Sequence, residues 1–169
     1  MRSSFLAILL VAGLTTVPAL ADDTMTTLKP EQIGQIFCLS RTGNDEAVLD
    51  GILTSELKTA IADAWAKDDA WETANPGEKP PLGDGIPWQA WPDYATECNV
   101  GLVTLMKTYA KVEINYVFAD DAEANFTDTL LLKRVDMPNY GTAFWRIDNI
   151  AYATESDLKA VLLGAFEGL

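Results

Sequence analysis

Three aspartates and two tyrosines are the side chains of this sequence best suited to acid–base chemistry. A carboxylate in a pocket can act as a general base when burial shifts its pKa, and a tyrosine hydroxyl can assist it. The candidate carboxylates are Asp148, Asp84 and Asp93, and the candidate hydroxyls are those of Tyr116 and Tyr94. These residues keep a small-molecule enzyme among the functions that the sequence allows.

The sequence lacks the residues that other common catalytic mechanisms require. The chain contains no histidine, which rules out histidine-based triads, histidine metal ligands and imidazole acid–base catalysis. The serines after residue 21 lie outside any Gly-x-Ser-x-Gly motif, and no phosphate-binding glycine loop or dinucleotide fingerprint is present. The acidic stretch 120–125 lacks the spacing of an EF-hand and is better explained as a solvated hairpin tip. We therefore expect no cofactor and no metal.

The spacing of Asp148 from Arg146 suggests that Asp148 has a purely structural role. The two residues are two positions apart on a predicted strand, so both side chains should project from the same face. If that face is buried, the two charges must be paired with each other or with other partners. A structural ion pair is therefore preferred to a catalytic role for Asp148.

The stretch 78–98, EKPPLGDGIPWQAWPDYATEC, organises the rest of the chain, and we call it the proline-rich loop. Its four prolines and its Gly-Asp-Gly turn exclude a regular helix or a central strand. One interpretation is a ligand or partner site framed by Asp84, Trp88, Trp91, Asp93 and Tyr94. The simpler interpretation is a loop that folds its tryptophans over the core, because any long ordered loop needs aromatic anchors.

Residues 1–21 have the pattern of a secretory signal peptide. Arg2 supplies the positive end, residues 5–14 form a short apolar run, and an Ala-Leu-Ala sequence precedes the expected cleavage site. Residues 22–169 would then form a single domain, with no later segment able to insert in a membrane. We expect a soluble protein of the periplasm in a Gram-negative type of envelope.

Export changes the interpretation of the two cysteines, Cys38 and Cys98. An even number of cysteines in an oxidising compartment favours a disulfide, which here would close a loop of 60 residues. A catalytic thiol would need a base beside it, and the chain has no histidine to serve as one. The sequence therefore predicts a structural disulfide.

The charge of the chain restricts its partners. Without the leader, which carries Arg2 and no acidic residue, 11 basic residues face 25 acidic ones, a net charge of −14. This field repels nucleic acids and anionic membrane surfaces and favours a basic protein or a cationic ligand. The partner itself, protein or small molecule, is left unspecified.

Apolar spacing predicts helices before strands. The helices are expected at 30–40, briefly at 46–49, at 54–73 with Thr54 as N-cap, and at 155–166 with Thr154 as N-cap. The strands are expected at 100–108, 111–118, 126–135 and 142–152. In the last strand, Trp145 and Ile147 should face one way, and Phe144 and Ile150 the other. The predicted fold is an α+β domain with N-terminal helices packed on a curved antiparallel sheet of about four strands and a C-terminal helix.

The segment Trp145-Arg-Ile-Asp-Asn-Ile-x-Tyr152, followed by a final helix, resembles exported bacterial families of unassigned function in the nuclear-transport-factor-like (cone-shaped α+β) superfamily. The resemblance implies a curved sheet lined by helices, with a conical pocket. Some members of that superfamily are isomerases or dehydratases that use an aspartate base with a tyrosine or histidine partner. No such set of residues maps onto this chain, which has no histidine.

Two hypotheses follow. The preferred one is a non-catalytic binding or protein-interaction module that uses the proline-rich loop. The alternative is an isomerase-like or dehydratase-like enzyme, for which a candidate aspartate should meet a tyrosine hydroxyl in a cavity connected to solvent. Pairing of those carboxylates with lysine or arginine would count against the enzyme.

Overall fold

The computed structural model describes residues 27–43, 45–138 and 141–168, and the predicted leader lies outside them. The predicted α+β class is confirmed. The elements are α1 (Pro30–Gly43), a 3-10 helix (Glu46–Ile52), α2 (Ser55–Ala74), β1 (Glu97–Leu105), β2 (Tyr109–Val117), a 3-10 helix (Ala122–Ala124), β3 (Phe126–Met137), β4 (Thr142–Ala151) and α3 (Leu158–Gly164). None of the described helices is long and apolar enough to cross a lipid bilayer.

The four strands form one antiparallel sheet in the order β1-β2-β3-β4, so each strand pairs with the next along the chain. In β2, Val112, Ile114 and Tyr116 are fully buried, whereas the residues that alternate with them are more exposed. This alternation is the one that the sequence predicts, since successive side chains of a strand point to opposite faces. The helices cover the face that carries the buried side chains.

Helix α1 approaches this face very closely. Ile33 and Phe37 are completely buried beneath it. A Cβ atom at Gly34 would lie only 2.9 Å from side-chain carbons of both Val100 and Val112. A glycine is therefore required at this point, because any larger residue would push the helix away from the sheet.

The disulfide predicted between Cys38 and Cys98 is confirmed, with an S–S distance of 2.01 Å and a Cα–Cα distance of 5.2 Å. Cys38 lies on α1, and Cys98 is the second residue of β1. The bridge therefore ties the first helix to an edge strand of the sheet, directly at the end of the proline-rich loop.

Strand β4 contains a β-bulge, so its side chains do not alternate between the two faces as the sequence predicts. Leu131 pairs with Asn149 and Leu132 pairs with Ile147, so Asp148 is an extra residue without a partner in the ladder. The extra residue reverses the side-chain alternation beyond it. Ile147 and Ile150 are consequently both fully buried, and the prediction that they face opposite sides is wrong.

The closing helix begins later than its sequence predicts. Its N-cap is Asp157, whose side chain accepts a hydrogen bond from the backbone N–H of Ala160 at 2.9 Å. The predicted N-cap, Thr154, lies in the preceding turn, where Glu155 has a φ of 61°. A residue in this left-handed conformation cannot continue an α-helix, which moves the start of α3 to Leu158.

Candidate functional site

Three buried side chains of the body hold the proline-rich loop in place. Asp68, on α2, accepts a hydrogen bond from the backbone N–H of Leu82 at 2.8 Å. Asp128, on β3, accepts one from Ala90 at 2.9 Å, and the Tyr152 hydroxyl donates to the carbonyl of Pro87. Prolines remove backbone donors, so a loop of this composition has few hydrogen bonds of its own and depends on such external partners.

The inner face of the loop belongs to the hydrophobic core. Leu82, Ile86 and Trp88 are buried and pack within the same cluster as the sheet and the helices. This part of the loop does what the simpler interpretation expects, because it covers apolar surface that would otherwise face water. Trp88, one of the predicted partner-binding residues, is therefore placed inside the molecule rather than on its surface.

Gln89 sets the shape of the outer end of the loop. Its side-chain amide donates hydrogen bonds to the carbonyl oxygens of Trp91 and Asp93, each at 2.7 Å. Its side-chain oxygen accepts a hydrogen bond from Nε of Arg41 at 3.2 Å. Gln89 is itself buried. The turn that carries Trp91 is thus fixed from below by one side chain, which we did not single out from the sequence.

The outer end of the loop exposes two aromatic side chains. Trp91 is 43% exposed and Tyr94 is 67% exposed, and Asp93 between them is exposed as well. Large aromatic groups that remain in water on an ordered loop are a common feature of binding surfaces.

Two cavities border the loop, and together they collect all five predicted partner-binding residues. The first, of about 300 Å³, is lined among others by Asp84, Trp88, Tyr94, Gln89 and Arg41. The guanidinium of Arg41 is engaged there by Gln89 and by an ion pair with Glu46 at 3.2 Å. The second, of about 490 Å³, is lined by Trp91, Asp93, Phe118, Asp121, Glu123, Ala124, Asn125 and Phe126. We call the second one the aromatic–acidic cavity.

Aromatic rings form one wall of the aromatic–acidic cavity. The ring of Trp91 meets that of Phe126 edge-on with 4.8 Å between centroids, and Phe118 lies 6.1 Å from Phe126. Phe126 is stacked on the buried ring of Tyr116 at 4.5 Å, which fixes it to the sheet. The backbone of Phe118 is held by Asn125, whose side-chain oxygen accepts its N–H at 2.7 Å. The wall is thus built on the ends of β2 and β3.

Carboxylates form the rim of the same cavity. Asp121 caps the short 3-10 helix Ala122–Ala124 by accepting the N–H of Glu123 at 3.1 Å. Within residues 27–43, 45–138 and 141–168, none of the ion pairs involves Asp93, Asp121 or Glu123. Three carboxylates that have no basic partner among the described residues therefore stand beside three aromatic rings.

Asp148, one of the three candidate aspartates, is engaged by basic side chains. Its carboxylate lies 3.0 Å from Nζ of Lys159 and 3.6 Å from Nζ of Lys133, and it accepts a hydrogen bond from the Thr54 hydroxyl at 3.0 Å. Partial burial acts to raise the pKa of Asp148, but the hydrogen bonds and the two lysine charges outweigh it and lower that pKa. This carboxylate supports the packing of α3 and α2 on β4.

Of the two alternatives for Arg146 and Asp148, pairing with each other is wrong, and Asp148 forms its ion pairs with other partners. Arg146 instead donates a hydrogen bond to the carbonyl of Trp145 at 2.8 Å and lies over the ring of Phe144, 5.1 Å from its centroid. The bulge is the physical reason, because Asp148 is the extra residue and no longer follows the alternation that begins at Arg146.

Of the other catalytic candidates, Asp84 and Tyr94 both line the first cavity, but the carboxylate of Asp84 is paired with a lysine. Asp84 is exposed and lies 2.5 Å from Nζ of Lys79. Asp93 and Tyr94 are at the exposed end of the loop, whereas the hydroxyl of Tyr116 is buried in the core. The structure therefore places the predicted aspartates and Tyr116 in different parts of the molecule.

Asp128 is the carboxylate that our sequence reasoning missed. It is only 1% exposed and accepts two backbone hydrogen bonds at 2.9 Å, from Ala90 in the loop and from Ala153 after β4. Burial raises the pKa of Asp128, and the two hydrogen bonds oppose that effect only in part. A signal was present, because Asp128 is in phase with the buried Leu130 and Leu132 of β3.

Two tyrosines surround Asp128. Burial, reinforced by the negative charge of Asp128, raises the pKa of both Tyr116 and Tyr152. In the described part of the chain, the Tyr116 hydroxyl and the Trp88 indole N–H are the buried side-chain polar atoms without a hydrogen-bond partner. Asp128 pairs with Ile114, and Phe126 pairs with Tyr116, so Asp128 and Tyr116 are buried diagonal neighbours on β3 and β2 beneath the proline-rich loop.

The described residues contain no group of three or more histidine, cysteine or acidic side chains that could hold a metal ion. Comparison of the chain with models of protein families, with curated proteins and with solved structures finds no match. The fold and the loop thus define an α+β domain with a preformed, aromatic outer surface, and its function must be inferred from the geometry.

Proposed function

We propose that this chain is an exported, non-catalytic binding module that holds its partner at the outer end of the proline-rich loop. The observation that carries this proposal is the contrast between the two faces of the loop. Its inner face is fixed by Asp68, Asp128 and Tyr152, while its outer end leaves Trp91 and Tyr94 in contact with water.

Such a loop is suited to binding for an energetic reason. A surface that is already ordered loses little conformational entropy when a partner docks, so more of the contact energy appears as affinity. Tryptophan and tyrosine are among the residues that most often dominate the binding energy of an interface. The hydrogen bonds of Gln89 hold the carbonyl groups on either side of Pro92 and so keep Trp91 in a defined position.

Export to the periplasm is part of the proposal. The leader pattern of residues 1–21 predicts it. The disulfide between Cys38 and Cys98 agrees with it, because such bonds persist in oxidising compartments and are rare in the cytosol.

Pull-down from a periplasmic extract tests the proposal. The immobilised protein should capture a partner, and Trp91→Ala should reduce capture at least about tenfold, since truncation of a dominant aromatic contact costs more than about 1.4 kcal/mol. The matched control is Trp65→Ala on α2, which removes a tryptophan of similar exposure, 39%, away from the loop. Equal capture by the wild type and Trp91→Ala would overturn the proposal.

The enzyme alternative now depends on Asp128 and Tyr116 rather than on the aspartates expected from the sequence. The observation in its favour is the raised pKa of Asp128 beside the buried Tyr116 hydroxyl, which has no hydrogen-bond partner within the described ranges. This alternative requires the loop to open, since Ala90 closes over Asp128. Hydrogen exchange of the Ala90 amide tests it: exchange only through global unfolding would exclude the alternative, whereas exchange through a local opening would favour it.

A further inference from the structure

We propose that the aromatic–acidic cavity binds a small organic cation that carries a quaternary ammonium group. This site includes Trp91 and Asp93 of the proline-rich loop, which also carries the proposed function, and the inference names the chemical class of one ligand. It rests on the combination of an aromatic wall with a rim of carboxylates that form no ion pair within the described residues, and neither feature alone would define the site.

The aromatic wall favours a cation over a neutral ligand. The faces of aromatic rings are negative, and they attract an ammonium group that lies within about 6 Å of the ring centroid. Trp91, Phe126 and Phe118 all line this one cavity, and their rings contact one another to form a continuous aromatic wall. A methylated ammonium fits such a wall best, because its methyl groups make apolar contacts while its charge interacts with the rings.

The size of the cavity also favours a small molecule. Its volume of about 490 Å³ lies in the range of pockets that enclose small ligands. One wall is anchored to the sheet through the stack of Phe126 on Tyr116, so the cavity exists before a ligand arrives.

The acidic rim determines that the ligand should be positively charged. Asp93, Asp121 and Glu123 border the cavity and take part in none of the ion pairs of the described ranges. An anion would be repelled both by this rim and by the overall charge of −13 of the full sequence. A cation in the cavity would neutralise part of the local charge, and its affinity should fall as salt is added.

Isothermal titration of the intact mature protein with choline tests the inference. We expect saturable binding of choline, and binding at least about tenfold weaker for 3,3-dimethyl-1-butanol, which has the same shape without the charge. Trp91→Leu keeps an apolar side chain without an aromatic face and should weaken choline binding about tenfold. Thermal unfolding of this variant verifies that the fold is retained.

Variants that remove single charges distinguish the effect of the acidic rim on cation affinity from the effect of the overall negative charge of the protein. Asp93→Asn and Glu123→Gln should each weaken choline binding about threefold or more at low salt. Asp120→Asn is the matched control, because it removes one exposed acidic charge from the same turn at a residue that does not line the cavity. It should change the affinity less than twofold.

Several results would overturn the inference. These are no saturable binding of choline or tetramethylammonium, equal binding of the neutral isostere, or an equal effect of Asp120→Asn and Asp93→Asn. Binding of a lysine-rich peptide without binding of choline would also overturn it, since the site would then serve a basic protein. If choline fails while Trp91→Ala still reduces partner capture, only this inference is wrong. If choline binds and capture is insensitive to Trp91, the proposed function is wrong and the cation site stands.

Discussion

Asp128 and Asp148 show how differently two aspartates of one sheet can be used. Asp128 lies on the core face of β3 and accepts hydrogen bonds from two backbone N–H groups. Asp148 lies at the bulge of β4 and meets two lysines. The first holds a loop and a turn against the sheet, and the second joins helices to an edge strand. Each role depends on contacts between residues far apart in the chain.

The lowered pKa of Asp148 predicts a dependence of stability on pH. A carboxyl group with a lowered pKa in the folded state adds stability above its ordinary pKa of about 3.9, and this stability is lost as the pH falls towards the folded value. Asp148→Asn should therefore lower the free energy of unfolding by about 1 kcal/mol at pH 7. The difference from the wild type should shrink as the pH falls below about 4.

Urea unfolding at pH 7 and at pH 3 measures this difference. Asp120→Asn serves as the control, since it changes an exposed aspartate in the turn after β2 and should have little effect at either pH. A difference between the wild type and Asp148→Asn that is the same at pH 7 and pH 3 would contradict the role of the two lysines.

At the scale of elements, the bulge in β4 decides which side chains enter the core. Because Asp148 is the extra residue, Ile147 and Ile150 both lie on the buried face despite a separation of three positions. Ile147→Ala and Ile150→Ala should each lower the free energy of unfolding by about 2–5 kcal/mol, the usual cost of truncating a buried isoleucine.

Denaturant titration of both variants checks the bulge, with Leu163→Ala as the control. Leu163 is 64% exposed on α3, and its truncation should change the free energy of unfolding by less than about 0.5 kcal/mol. A regular strand would bury only one of the two isoleucines. An effect of Ile150→Ala as small as that of Leu163→Ala would therefore refute the bulge.

At the scale of the whole molecule, the disulfide joins the helical first part of the chain to the sheet. It closes a separation of 60 residues, for which the loop-entropy relation gives about 4 kcal/mol of stability. The double variant Cys38→Ala with Cys98→Ala should lose an amount of this order in urea unfolding. Reduction of the wild-type protein should reproduce the loss.

Thiol titration gives an independent check of the same bond. The unfolded, unreduced protein should show no reactive thiol. Two reactive thiols would mean that the bridge does not form in the protein as it is made, and an unchanged free energy of unfolding in the double variant would mean that it does not stabilise the fold.

Local patterns were sufficient for the class of the fold. The alternation of β2, the apolar spacing of α1 and α2 and the prolines of residues 78–98 depend on neighbouring residues, so the α+β order was readable before any contact was known. The disulfide was predictable as well, since the sequence has two cysteines and its leader pattern predicts export to an oxidising compartment. The sequence also indicated the proline-rich loop as the candidate binding segment, but it did not separate the buried Trp88 from the exposed Trp91 and Tyr94.

Contacts between distant residues were beyond such patterns. The pairing of Asp148 with lysines and the burial of Ile150 follow from one extra residue in β4, which alternation alone does not reveal. Asp128 was overlooked because a carboxylate on a buried register looks unfavourable until the two backbone N–H groups that it satisfies are known.

The sequence by itself therefore determined the order of the elements, the cross-link, the acidity of the chain and the position of its loop, because composition and short-range periodicity encode these features. Only the tertiary structure decided which face of the loop is buried and which carboxylates are paired. It also brought Phe118 and Phe126 beside Trp91 to form a cavity. These outcomes depend on strand register and on packing across the sheet, where residues tens of positions apart become neighbours.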